Sequence, residues 1–163
     1  MNRDLIERYA AGAEAPARAI VGLTAEDLDA FPVPGTWSIR QIIVHLMDSD
    51  LVGGDRMKRV AAEDNPTLLA YDENAFVARL GYDQMDAPLS CEVFCVNRMA
   101  VAHMLRRLPD AAFERAGMHT ERGRETLGEL VALYIEHLEH HLAFIRKKRE
   151  LLGKPLTPPD PAE

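Results

Sequence analysis

The sequence predicts an all-α protein: a four-helix bundle with a long crossover connection. Three observations carry this. Long stretches repeat apolar residues at helical spacing, which is how one face of a helix is buried. Two of them open on a capping box, Ser38-Ile39-Arg40-Gln41 and Thr126-Leu127-Gly128-Glu129, in which a hydroxyl and a long polar side chain satisfy the free amides at a helix start. No run alternates with Val, Ile and Thr enrichment, so strand signals are weak.

Residues 2–22 place Leu5, Ile6, Tyr9, Ala13, Ala17, Ile20 and Val21 on one stripe. Pro16 lies inside this stretch and predicts a kink or break, because proline lacks the amide a helix interior needs. Thr24 caps a short turn of helix, and Phe31-Pro32-Val33-Pro34-Gly35 is a loop. The second long helix runs from Ile39 to about residue 62. Residues 63–84 mix loop and short helix. The third long helix covers about 86–108, with Leu89, Val93, Asn97, Ala100, Val101, Met104 and Leu108 as its stripe. That phase leaves Cys91, Phe94 and Cys95 outside the stripe. The last helix runs from Leu127 to about Leu152, with Gly153 as its terminal glycine. The expected organisation is one bundle domain over residues 1–153 and a proline-rich flexible tail over 154–163, which holds Pro155, Pro158, Pro159 and Pro161.

The chain has 163 residues and a formal net charge of −7. That balance disfavours a nucleic-acid partner, since phosphate recognition needs clustered Lys and Arg. The one basic run, Arg146-Lys147-Lys148-Arg149, lies near a helix C-terminus, where cations complement the helix dipole. No apolar run is long enough for a membrane span, and the N-terminus lacks the apolar stretch of a signal peptide. With two cysteines there is no disulfide framework, so the expected compartment is the cytoplasm.

The histidines point to a site. Each helical residue advances about 100°, so His141 lies about 50° and His137 about 90° from the buried direction of the last helix, on the same side. His140 lies about 150° away and faces solvent. Residues four apart stack one above the other, so two imidazoles from one helix can reach one ion. His45 sits on the edge of the second helix's stripe, about 110° from its centre. Three neutral imidazoles suit Zn²⁺, Ni²⁺, Fe²⁺ or Cu²⁺ and leave a position open for water or substrate. The alternative is a pair of boundary histidines with ordinary partners, because Leu138 stands where the zinc-protease helix carries its glutamate.

The segment Trp37-Ser38-Ile39-Arg40-Gln41-Ile42-Ile43-Val44-His45-Leu46 resembles the second-helix signature of the DinB-like superfamily of metalloenzymes. His137-Leu138-Glu139-His140-His141 resembles its last-helix signature, and His119 with Gly123 and Thr126-Leu127 resembles the segment before it. The similarity runs from about residue 2 to 152. It implies a four-helix bundle that is frequently a homodimer, with a divalent metal, zinc or nickel most often, on His45, His137 and His141. Family members of known activity use low-molecular-weight thiols, as in bacillithiol S-transferases and mycothiol-dependent maleylpyruvate isomerase.

Three functions are therefore open, the first two acting on a small-molecule substrate. The first is a metal-dependent transferase or isomerase in which the ion binds a low-molecular-weight thiol as thiolate. The second is a metal-dependent hydrolase, which needs a general base; the sequence offers Asp48 or His119 for it. The third is a non-catalytic, stress-related metal-binding module that pairs with a second copy through Phe94, Cys91 and Cys95. Asp48 could also accept from an imidazole N–H or be a solvated carboxylate. Asn97, a polar group mid-stripe, must be hydrogen-bonded, either to a neighbouring helix or at a pocket. Trp37 either packs the bundle end or stacks on a ligand.

Overall fold

The computed structural model describes residues 2–156. Four long helical runs form the bundle. The first is broken in two, α1 (Asn2–Ala11) and α2 (Ala15–Ile20), with Pro16 in the first turn of α2. Proline is tolerated there because its missing amide is one that no helix start can use. A short α3 (Ala25–Asp29) follows on a Thr24–Asp27 capping box. The remaining long helices are α4 (Ile39–Ala62), α6 (Ala87–Leu105) and α7 (Leu127–Leu151). The capping boxes at Ser38 and Thr126 are both closed in both directions. α5 (Glu73–Arg79) lies in the connection from α4 to α6.

That connection is the crossover. Arg40, at the start of α4, donates to the Met85 carbonyl just before α6. The strands that follow the two helices, β1 (Thr67–Leu68) and β2 (Ala116–His119), pair in parallel. α4 and α6 thus run the same way, and residues 63–86 must travel back along the bundle. α1 and α7 run opposite to them. Asn2 donates to Asp110 beyond the end of α6, and Arg149 at the end of α7 donates to the carbonyls of Ala19 and Val21 at the end of α2.

The sheet was not legible in the sequence. β2 pairs antiparallel with β3 (Gly123–Thr126), making a three-stranded sheet in the order β1-β2-β3. Its strands are two to four residues long, too short to show an alternating pattern. Gly117 sits where a Cβ would lie 2.9 Å from the Pro66 carbonyl oxygen, so the strand pair closes only on a glycine. This sheet ties the ends of three helices together.

Two corrections concern helix phase. α6 buries Cys91, Phe94, Arg98, Val101 and Leu105, while Leu89 is 56% exposed and Ala100 is also exposed. Cys91 and Phe94 are therefore core residues and cannot serve as a pairing flank for a second copy; Cys95 is half-buried. α6 is apolar nearly all round, and its buried side carries a charge, Arg98, so the apolar stripe misjudges the direction. In the basic run, only Arg146 and Lys147 are solvated. Lys148 is buried and donates to Thr36 Oγ1 at 2.6 Å, and Arg149 is buried against the α2 carbonyls. The tail segment 157–163 lies outside the described residues. Among those described, no helix is long and apolar enough to cross a membrane.

Candidate metal centre

α4 and α7 pack close enough for a side-chain site to form between them. At Gly53 a Cβ would lie 2.4 Å from the Tyr134 ring. A glycine there lets α7 approach α4 with the aromatic ring against bare backbone, one turn before His137. The pair is held in register by a buried network. Asp50 of α4 accepts from Arg98 Nε at 2.9 Å and Nη2 at 2.7 Å, and Arg98 Nη2 also donates to the Tyr134 carbonyl at 3.0 Å. Asn97 Nδ2 donates to both the Asp50 carbonyl and its carboxylate. Asn97 thus binds the neighbouring helix α4.

In this frame His45, His137 and His141 come together. One potential ligand atom from each lies within 4.8 Å of the others. The Nε2 atoms of His45 and His137 are 3.1 Å apart. His45 is fully buried, and His140 is exposed on the far face of α7. Nitrogens bound to one ion at about 2 Å can be at most about 4 Å apart, so the cluster fits a divalent ion with small side-chain adjustment. Two further observations agree. Burial, reinforced by the neighbouring imidazoles, pushes all three histidines down to about 3, so each is a neutral donor. The buried Nδ1 atoms of His45 and His141 have no hydrogen-bond partner among the described residues. The Trp37 ring packs 4.8 Å from that of His45 and lies parallel to that of His141 at 6.2 Å, covering one side.

Carboxylate Glu73 completes the surroundings, and sequence reasoning missed it. It lies in the first turn of α5, whose start is capped by Asp72 accepting from the Ala75 amide at 3.0 Å. That places Glu73 Oε2 3.7 Å from His45 Nε2, with the side chain 50% exposed. No local motif marks it, because its position depends on how the crossover folds back over α4. The two bases the sequence offered are differently placed. Asp48 accepts a short hydrogen bond from the Tyr82 hydroxyl. His119 ends β2, is 2% exposed, and uses Nδ1 to accept from the Glu121 and Arg122 amides at 3.2 and 3.3 Å. Cys91 is buried in the core, and that burial pushes its thiol up to about 12, which disfavours the thiolate.

His137 and Glu73 open onto a cavity of about 590 Å³, also lined by His119, Arg56, Tyr71 and Tyr134. That volume suits a small molecule.

The neutral histidines make stability depend on pH. The unfolded chain takes up their protons near 6.5, while the folded chain resists to about 3. Between these values the unfolded state binds more protons, so these residues lower stability as pH falls. Metal-free protein is expected to unfold at less urea at about pH 5 than at about pH 7; an equal or higher midpoint at the lower pH contradicts this.

Comparison with known proteins agrees with the architecture. A sequence profile described as the DinB superfamily matches residues 10–145. A protein of Bacillus licheniformis, provisionally named a metal-dependent hydrolase, is 31% identical over 136 residues, 83% of this chain and 77% of its own length. One of Oceanobacillus iheyensis with the same provisional name is 31% identical over 126 residues, 77% of this chain and 73% of its own. The solved structure of YfiT from Bacillus subtilis superposes with a TM-score of 0.85 at 28% identity, covering 93% of this chain and 87% of that one. It is described as a probable metal-dependent hydrolase with an unusual four-helix bundle topology. With the profile spanning most of the bundle and the topology shared, this chain belongs to the DinB superfamily.

Proposed function

We propose that the protein is a metal-dependent hydrolase of small acyl compounds, with His45, His137 and His141 as the ligands of one divalent ion, zinc or nickel by ligand type. The observation that carries the reading is Glu73: a half-exposed carboxylate 3.7 Å from a buried neutral imidazole, on the wall of a cavity that His137 also lines. A divalent ion held there supplies Lewis acidity toward a carbonyl oxygen and toward water. Glu73 is placed to take the proton from an attacking water and pass it to the leaving group. Tyr71 and Tyr134 line the cavity in which a substrate would sit.

This reading displaces thiol-dependent transfer, the first expectation from the resemblance. The relatives' provisional names support hydrolysis and give thiol chemistry no support. In place of Asp48 and His119, the bases the sequence offered, Glu73 is the candidate general base. Purified protein loaded with zinc or nickel is expected to hydrolyse simple carboxylic esters or amides. It should transfer neither glutathione, bacillithiol nor coenzyme A to model electrophiles. Thiol transfer without hydrolysis overturns the reading.

A further inference from the structure

Two residues on the wall of the same cavity take no part in that chemistry, and each keeps one polar atom that the fold does not satisfy. Arg56 is 5% exposed. Its Nη1 donates to the Tyr134 hydroxyl at 3.1 Å and its Nη2 to the Leu69 carbonyl. Its Nε is buried without a partner, and among the described residues no carboxylate lies within ion-pair distance of it. A buried guanidinium without a counter-ion is costly, because desolvation is repaid only by a facing charge. The second group is His119. Since Nδ1 accepts from two backbone amides, its proton sits on Nε2. That Nε2–H is buried and unpartnered. Arg56 and His119 thus line one cavity, and each has a buried N–H, Nε and Nε2, that lacks an acceptor.

We propose that Arg56 and His119 form a carboxylate-recognition site, and that the substrate is an acyl compound bearing one free carboxylate. The charge of the wall disfavours a ligand with more than one negative charge. Arg122, the other cation there, is already held by both oxygens of Glu125 at 2.6 and 3.0 Å. Three further wall residues, Asp72, Glu73 and Glu121, are acids that disfavour a dianion such as phosphate. With the carboxylate on Arg56 and His119, the remainder of a small molecule occupies the cavity toward His137 and Glu73. The word substrate rests on the hydrolase reading; the binding site does not.

Calorimetric titration of the purified, metal-loaded protein tests this with three probes. They are glutaramate, with one carboxylate and one amide; glutaramide, with two amides; and inorganic phosphate. Glutaramate is expected to bind about tenfold or more tighter than glutaramide, the scale of one charge-assisted hydrogen bond. Phosphate is expected to bind more weakly than glutaramate. Arg56→Gln should remove the discrimination, and His119→Phe should reduce it. Equal binding of glutaramate and glutaramide overturns the proposal, and so does preference for phosphate or absence of binding. Should Arg56→Gln fail to fold, the wild-type comparison and His119→Phe decide. Attachment of the carboxylate to the ion itself would survive both variants, and that outcome also overturns the proposal. Discrimination by a protein that hydrolyses no ester supports the site and sinks the hydrolase reading. Hydrolysis without discrimination does the reverse.

Discussion

Replacing Arg98 by Ala is expected to cost about 3–5 kcal/mol of stability, the scale for removing one member of a buried ion pair. Asp50 then keeps its place between α4 and α6 with no cation facing it, since Arg98 is its ion-pair partner among the described residues. Burial already pushes the Asp50 carboxyl up, and Arg98 is what pulls it back. The loss exceeds the pair. The Arg98 guanidinium stacks 4.3 Å from the Tyr9 ring and 4.6 Å from the Phe94 ring, and it holds the Tyr134 carbonyl. It therefore joins α1, α4, α6 and α7 at one point. Asp50→Ala should cost a similar amount. The double variant Asp50→Leu with Arg98→Met should cost less than the sum of the two single losses, because no bare charge remains. Urea unfolding of the four proteins measures this. A cost below about 1 kcal/mol for either single variant contradicts the role given to the pair.

Glu73→Gln is expected to lower kcat for ester hydrolysis by about 10²–10⁴-fold, the range for loss of a positioned general base. Glutamine keeps the size and an acceptor oxygen but cannot hold the proton. The side chain is half-exposed and, among the described residues, its one recorded polar contact is the approach to His45, so stability should hardly change. Metal content should also stay at the wild-type level, because the three imidazoles remain. This separates a base from a ligand: a carboxylate acting as fourth ligand would show as weaker metal retention. An unchanged rate with a full complement of metal removes Glu73 from the mechanism. Asp48→Asn, at a residue occupied with Tyr82, should leave kcat within a few-fold.

The difference between Glu73 and the histidines shows what a sequence of this kind discloses. α4 and α7 are long and well capped, so rotation about the axis carries from the apolar stripes to His137 and His141, and to His45, which the stripe puts at its edge and the structure buries fully. The exposure of His140 followed from the same rotation. On α6 this logic failed. Arg98 is buried in an ion pair and Leu89 is exposed, so polarity no longer reports direction, and Cys91 and Phe94 were placed outside when they lie in the core. The sheet failed for another reason. β1 is two residues long and pairs with β2 through Thr67 with Met118 and Leu68 with His119, a distant pairing set by tertiary contact rather than by local pattern. Glu73, Arg56 and His119 depend on that same crossover and sheet. Their convergence on one cavity could not be read from spacing.

The central claim is that the three histidines hold one divalent ion, and elemental analysis of four purified proteins tests it. Wild type is expected to carry about one ion per chain, since three neutral nitrogens make a complete protein ligand set for an open site. His137→Ala and His141→Ala should lose it, because two imidazoles retain an ion poorly. His140→Ala, altered on the exposed face of the same helix, should keep it. Loss from the His140 variant with retention in the His137 variant contradicts the geometry. Wild-type protein that resists loading with zinc, nickel and iron alike contradicts the claim itself. The 3.1 Å contact between His45 and His137 would then be a hydrogen bond between two structural imidazoles, and the cavity beside it would need another chemistry.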